Sequence, residues 1–209
     1  MNKKNAIFDM DGTLIDSMHY WNNLGREYLE SKGITQDLEE TLREIVPLSM
    51  SESASLLVSR YLKEESADKV MDEMNRMMER HYLEDIPLKP RVKKYLNQLK
   101  DNGVRMCVVS VTAEHLVEGC LKRLGIIQLF DFILSCETLC TNKREPDIYL
   151  KAAACFGEKP GDIAIYEDAV YAVNTAKKAG FFTVAVHDRA TESEWERIQE
   201  LADETVYFD

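Results

Sequence analysis

From Pro87 onward, short apolar runs alternate with segments of helical periodicity, and this alternation constrains the fold more than any other feature of the chain. Val104 to Val109 reads as a buried strand, followed by strand candidates at Asp131–Leu134, Ile163–Tyr166, Phe181–Val186 and Thr205–Phe208. Between them lie helical faces with their own punctuation. Pro90 suits a first helical position ahead of Val92, Tyr95, Leu96 and Leu99, with Gly103 as the stop. Thr112 reads as the cap of a helix carrying Leu116, Cys120 and Leu124 up to Gly125. Pro146 opens a helix with Ile148, Leu150 and Ala154, closed by Gly157. Another helix runs to Gly180, and a last one lies near Glu192–Leu201. With a first strand at Lys4–Asp9, these repeated strand–helix units predict an α/β fold: a doubly wound parallel sheet with helices on both faces.

The first strand is separated from the rest by a segment of a different kind. From residue 17 to about 84 no convincing strand occurs, only helical repeats. Trp21, Leu24 and Tyr28 mark the first helix, stopped by Gly33. Thr35 reads as the cap of a second, carrying Leu38, Leu42 and Ile45 and ended by Pro47. Ser51 or a near neighbour opens a third with Ala54, Leu57 and Tyr61, and Ser66 a fourth through Val70, Met74, Met77 or Met78, and His81. The methionines at 71, 74, 77 and 78 read as core filling rather than a binding surface. A four-helix insert over 16–85 is therefore expected within a core of 1–15 and 86–209, hinged around Ile15-Asp16-Ser17 and Glu84-Asp85-Ile86-Pro87.

Composition narrows the setting. The 209 residues carry a net charge of −11, which argues against nucleic acid, since phosphate backbones attract a basic face. No run of about 18 uncharged apolar residues occurs, so no membrane partner is expected. The start lacks a secretory pattern, which points to a cytoplasmic protein, expected as a monomer or weak dimer. Cys107, Cys120, Cys136, Cys140 and Cys155 read as reduced, mostly buried thiols, since no second pair completes a zinc site.

Four polar groups fall at or after the C-terminal ends of expected strands: Asp9 with Asp11, Ser110, Lys143, and Glu167 with Asp168. Ligand crevices of open parallel sheets lie at that edge, where the winding reverses. Gathered carboxylates repel and need a cation, and hard oxygen ligands favour Mg²⁺. A lysine and a hydroxyl beside them suit a phosphoryl group, so the pattern suggests metal-assisted phosphoryl transfer.

The string Asp9-Met10-Asp11-Gly12-Thr13-Leu14-Ile15-Asp16-Ser17 resembles the first signature of the haloacid dehalogenase-like superfamily. Ser110 resembles its second motif, Lys143 in Lys-Arg-Glu-Pro-Asp-Ile-Tyr its third, and Tyr166-Glu167-Asp168 its fourth. The fixed residues of the first motif alone would arise by chance in such a chain roughly once in a thousand. The resemblance implies a Rossmann-like core and a helical cap of the C1 type found in phosphoglycolate phosphatase and β-phosphoglucomutase. It implies Asp9 as nucleophile and Asp11 as general acid and base. Mg²⁺ would be held by Asp9, the Asp11 carbonyl and Asp168 with Glu167 in support, and phosphate bound by Ser110, the Val111 backbone and Lys143. Departures from the family pattern are Val111 and Thr112 after Ser110, and Ala169 and Ala172 where relatives commonly carry Ser and Gly. Every charged position is retained. Asp16 and Ser17 read as caps of the first insert helix, His115 and His187 as structural or surface residues, and His19 and Tyr20 as weaker candidates for substrate contact.

The expected activity is hydrolysis of a small phosphorylated metabolite through an aspartyl-phosphate. A sugar-phosphate mutase is the nearest alternative, but Trp21 stands where that group has a characteristic histidine, with His19 two positions early. True dehalogenases lack the second aspartate of the first motif, and no lysine of the insert is singled out for a phosphonatase Schiff base. A non-catalytic phospholigand sensor is the alternative of another class.

Overall fold

The computed structural model describes residues 3–36, 38–46 and 48–208. The chain divides into two compact units, one of residues 1–17 and 86–209, the other of residues 18–85.

The larger unit is built on a parallel sheet. Strands β1 (Asn5–Phe8), β2 (Arg105–Ser110), β3 (Phe132–Ser135), β4 (Ile163–Glu167), β5 (Phe182–Val186) and β6 (Glu204–Val206) lie in the order β3-β2-β1-β4-β5-β6. The first strand in sequence thus lies between β2 and β4, and the order of connection reverses across it. Strands β1 and β4 are buried along their whole length, as expected of a sheet covered on both faces. Phe8 pairs in register with Val108 and Tyr166, and its ring stacks on that of Tyr166 at 4.2 Å. One apolar layer joins Ile7, Cys107, Val109, Ile163 and Ile165 to a helix, Asp147–Phe156. A smaller one joins Ala185 to Val170, Val173, Trp195 and Ile198.

In the smaller unit four helices occur among the described residues: α1 (Met18–Ser31), α2 (Glu39–Ile45), α3 (Met50–Arg60) and α4 (Ala67–Glu84). Ser49, two residues before Ser51, opens α3 through a reciprocal capping box with Glu52, and Ser66 caps α4 through the Lys69 N–H. Met74 and Met78 are buried and Met71 and Met77 half-buried, so the methionines fill the helical core. Polar ties knit the helices. The Tyr28 hydroxyl donates to Glu73 at 2.7 Å, and the His81 ring lies between Glu27 (2.7 Å) and Asp85 (2.6 Å).

The larger unit continues with α5 (Val92–Asp101), α6 (Glu114–Arg123), α7 (Asp147–Phe156), α8 (Val170–Lys178) and α9 (Trp195–Leu201). Several local expectations require correction. Helix α2 starts at Glu39 behind Leu38, which makes no side-chain cap, so Thr35 stands too far ahead to reach its free N–H groups. Pro47, read as its stop, lies outside the described residues. Helix α5 begins two residues beyond Pro90, behind Arg91 at φ 61°. Thr112 does not cap α6; Ala113 stands at that position without a side-chain bond. Leu150 and Ala154 of α7 are exposed, and the buried face is Ile148, Tyr149, Ala152, Ala153 and Phe156. Leu150 lies two positions, roughly 200° around the helix, from Ile148, so the two cannot share a face. The last helix is preceded by a 3-10 turn over Arg189–Glu194. Among the described residues, no helix is long and apolar enough to cross a membrane.

Arg91 carries a cost that a glycine would not. Left-handed backbone costs an L-residue roughly 1–2 kcal/mol, and the Arg91 side chain is exposed. Arg91→Gly is therefore expected to stabilise the chain by about 1 kcal/mol, raising the thermal midpoint by about 2–4 °C in a calorimetric melt.

Candidate active site

The site assembles at the C-terminal edge of the sheet. Strand β1 delivers Asp9, whose backbone N–H donates to the Tyr166 carbonyl at 3.0 Å and extends the pairing with β4 by one residue. The chain then turns sharply. The Met10 carbonyl accepts from Leu14 (2.8 Å) and Ile15 (3.1 Å), and Gly12 sits at φ 77°, a conformation that an L side chain would strain. Ser110 ends β2 and is fully buried. Its hydroxyl oxygen accepts from the Thr112 N–H at 3.0 Å. Val111, between them, is half exposed.

Lys143 reaches the same place from the loop after β3. That loop is pinned by the Asn142 carboxamide oxygen, which accepts from the N–H groups of Arg144 (2.8 Å) and Glu145 (3.2 Å). The Lys143 ammonium, buried to 3% exposure, bonds Asp9 Oδ1 and Glu167 Oε1, the latter at 2.7 Å. Glu167 Oε1 also accepts from the Tyr149 hydroxyl at 2.8 Å.

Asp9, Glu167 and Asp168 each offer a carboxylate oxygen within 4.8 Å of the others, and all three are buried. Burial, with the charge of Asp9 adding to it, pushes the Glu167 carboxyl up to about 7, against the pull of Lys143. Burial pushes Asp168 well above the usual carboxylate range, and Asp9 and Glu167 push it further. Burial works against the Lys143 ammonium, yet Asp9 and Glu167 outweigh it and hold the lysine protonated. Three buried carboxylates facing one ammonium leave an excess of two negative charges when all are ionised. A divalent ion with hard oxygen ligands fits this donor set.

The structure thus brings together Asp9, Lys143, Glu167 and Asp168, and places Ser110 at the end of the neighbouring strand. The Asp11 carboxylate is not one of the three clustered; its Oδ2 accepts from the Thr112 hydroxyl at 2.8 Å. Ser17 does not act as the helix cap read from sequence: its hydroxyl is buried without a hydrogen-bond partner among the described residues. Asp16 is exposed, and its N–H donates to the Pro87 carbonyl at 3.0 Å. In the helical unit His19 is exposed, and the Tyr20 ring packs against those of His19 (4.0 Å) and His81 (4.8 Å). His115 is exposed, while His187 bonds Glu192 at 2.7 Å and stacks on Tyr207.

Some residues of the site were not legible in the sequence. Tyr149 lies six positions after Lys143, but only its helical register turns its hydroxyl to Glu167. Lys89 and Asp188 form a buried ion pair at 2.6 Å, and Lys89 also donates to the His187 carbonyl at 2.7 Å. Together with Asp16 and Arg189 they line a cavity of about 170 Å³. Lys89 favours the ionised form of Asp168 and Asp188 opposes it. Nothing in the spacing of these two residues announces the pair.

The sequence profile of the haloacid dehalogenase-like hydrolases matches residues 6–186. This chain belongs to that family. With its helical insert it falls among the C1-capped members, and it is an enzyme carrying the family's carboxylate cluster. It is 30% identical to a β-phosphoglucomutase of Bacillus subtilis, over 88% of this chain and 83% of that one. It is 30% identical to a phosphoglycolate phosphatase of Aquifex aeolicus, over 83% and 80%. A solved haloacid dehalogenase-like protein from Agrobacterium tumefaciens shares the fold with a TM-score of 0.75 at 23% identity, covering 98% of this chain and 93% of its own.

The charge imbalance has a measurable consequence. A carboxyl whose folded pKa is raised contributes stability that is present below its unfolded value, near 4.5, and is lost as pH rises through the folded value. The metal-free protein is expected to lose several degrees of thermal midpoint between pH 5 and pH 8, with Glu167 responsible for the part centred below about 7. Added Mg²⁺ should raise the midpoint more at pH 8 than at pH 5, read by differential scanning fluorimetry. A larger gain at pH 5 would contradict the charge assignment.

Proposed function

We propose that this chain is a Mg²⁺-dependent phosphatase that hydrolyses small phosphate monoesters through an aspartyl-phosphate. The observation that carries the reading is the buried Lys143 ammonium joined to both Asp9 and Glu167 in a cluster with Asp168. Lys143 occupies Asp9 Oδ1 and leaves Oδ2 to attack phosphorus. As the Asp9–phosphorus bond forms, the ester bond breaks and Asp11 gives its proton to the departing oxygen. Water then attacks the phosphorus while Asp11 takes the water proton, releasing phosphate and restoring Asp9. Ser110, whose oxygen accepts from Thr112 N–H, has its own O–H to donate to a phosphoryl oxygen, beside the backbone at Val111. Lys143 offsets charge on the transferring group.

Asp9, the Asp11 carbonyl and Asp168 would hold the Mg²⁺, with Glu167 in support. When bound, the ion supplies positive charge that lets a phosphoryl dianion approach these carboxylates. His19 and Tyr20 are proposed contacts of the leaving group. The five free cysteines fit a reducing, cytoplasmic setting.

The similarity to a β-phosphoglucomutase raises the mutase as a second reading. Against it, the position of the characteristic histidine on the first insert helix is Trp21, whose indole N–H donates to the Tyr82 hydroxyl at 3.1 Å. An indole cannot shuttle a proton as imidazole does. The retention of every charged position speaks against a non-catalytic sensor.

Phosphate release from p-nitrophenyl phosphate with Mg²⁺ tests the reading. Asp9→Asn is expected to lower kcat by about a thousandfold or more, and EDTA to abolish turnover. Full activity in Asp9→Asn, or metal-independent turnover, would sink it. Conversion of glucose 1-phosphate to glucose 6-phosphate without free phosphate would favour the mutase. A panel of phosphorylated metabolites then names the substrate class.

A further inference from the structure

Thr112 stands two residues beyond Ser110 where a helix cap was expected, yet it makes no cap. Helix α6 begins behind Ala113 without a side-chain bond at its N-terminus. A capping bond commonly stabilises a helix, so the threonine hydroxyl is directed elsewhere at some cost. It donates to Asp11 Oδ2 at 2.8 Å, across 101 residues of sequence.

The threonine is itself held on both sides. Its backbone N–H donates to Ser110 Oγ at 3.0 Å, and its carbonyl accepts from the Ser135 hydroxyl at 2.9 Å. Ser110 and Ser135 are the last residues of two paired strands, in register with one another, and both are fully buried. The sheet edge thus fixes the Thr112 backbone from two strands, and the side chain passes that order on to Asp11.

We propose that Thr112 is a positioning residue for Asp11, and this rests on the reading of Asp11 as the general acid. With the threonine donating to Oδ2, that oxygen is the acceptor, and the transferable proton sits on Oδ1. The carboxyl plane is held with Oδ1 turned to the departing oxygen. In the first step the Asp9–phosphorus bond forms, the ester bond breaks, and the Oδ1 proton passes to the leaving alkoxide. Without the threonine hydroxyl, Oδ2 loses the donor that marks it as the acceptor, and the proton is no longer confined to Oδ1.

This predicts a loss that depends on the leaving group. p-Nitrophenolate departs with little protonation, whereas an alkoxide needs a proton as it leaves. The parameter kcat/KM reports the steps through departure of the leaving group, so it isolates this transfer. For Thr112→Val, kcat/KM for β-glycerol phosphate is expected to fall about 30-fold, at least about tenfold more than for p-nitrophenyl phosphate. Thr112→Ser, which keeps the hydroxyl, should recover most of the loss, and Thr112→Ala should repeat the valine pattern. Circular dichroism melts of all three separate folding defects from chemistry, and the serine-against-alanine comparison stands even where valine impairs folding.

Equal losses on both substrates, or serine no better than alanine, would overturn the proposal. Asp11→Asn keeps the two readings apart: it should show the same leaving-group bias, larger, at about 10²–10⁴ on the alkyl ester. If Asp11→Asn shows no bias, the general-acid reading falls whatever Thr112 does. If it shows the bias and the Thr112 variants do not, only the positioning role falls.

Discussion

The Lys143 ammonium between Asp9 and Glu167 is the interaction on which the rest of the site depends. A buried lysine without counter-charges would lose its proton, and buried carboxylates without a cation would take one up. Each makes the other's ionised form tolerable. The balance is incomplete, because three carboxylates face one ammonium, and burial, reinforced by their mutual repulsion, raises Glu167 and Asp168. Structures often retain such electrostatic tension where chemistry is done. Here it leaves a buried set of oxygen donors that fits a divalent ion, within a protein whose net charge is −11.

That balance requires the sheet topology. Asp9, Ser110 and Glu167-Asp168 come from three neighbouring strands, and they meet because β1 pairs with both β2 and β4 in register. Lys143 is the exception, because no strand carries it. A pinned loop must bring it in, and the Asn142 turn does so, with the Thr175 hydroxyl donating to the Arg144 carbonyl at 3.2 Å one residue on. The site therefore combines three positions set by rigid strands with one set by local loop chemistry.

The strand–helix alternation and the charged motif residues were legible in the sequence because both follow local rules. Hydrophobic period marks strands and helices, and carboxylates at strand ends are conspicuous against apolar runs. What escaped was long-range or rotational. Thr112 looked like a cap because Ser and Thr commonly are, and only the folded sheet brings Asp11 within reach of its hydroxyl. Leu150 looked inward because a two-residue step resembles an amphipathic pattern until the helical rotation is counted. Lys89 and Asp188 sit 99 positions apart on unrelated segments, and only the fold makes them a pair.

The pairing of the two linkers has a consequence for the architecture. Asp16 N–H donates to the Pro87 carbonyl, Lys89 N–H donates to the Leu14 carbonyl, and Ile15 bridges Leu88 in antiparallel fashion. The chain thus leaves and re-enters the core through a two-stranded ribbon. To the core, the 68 residues of the smaller unit behave as the loop of a hairpin. The entropy of closing such a loop grows only as the logarithm of its length, about 0.6 kcal/mol for each doubling. A helical bundle can therefore be lengthened, shortened or exchanged at this point while the ribbon, and Asp9 a few residues before it, keep their register.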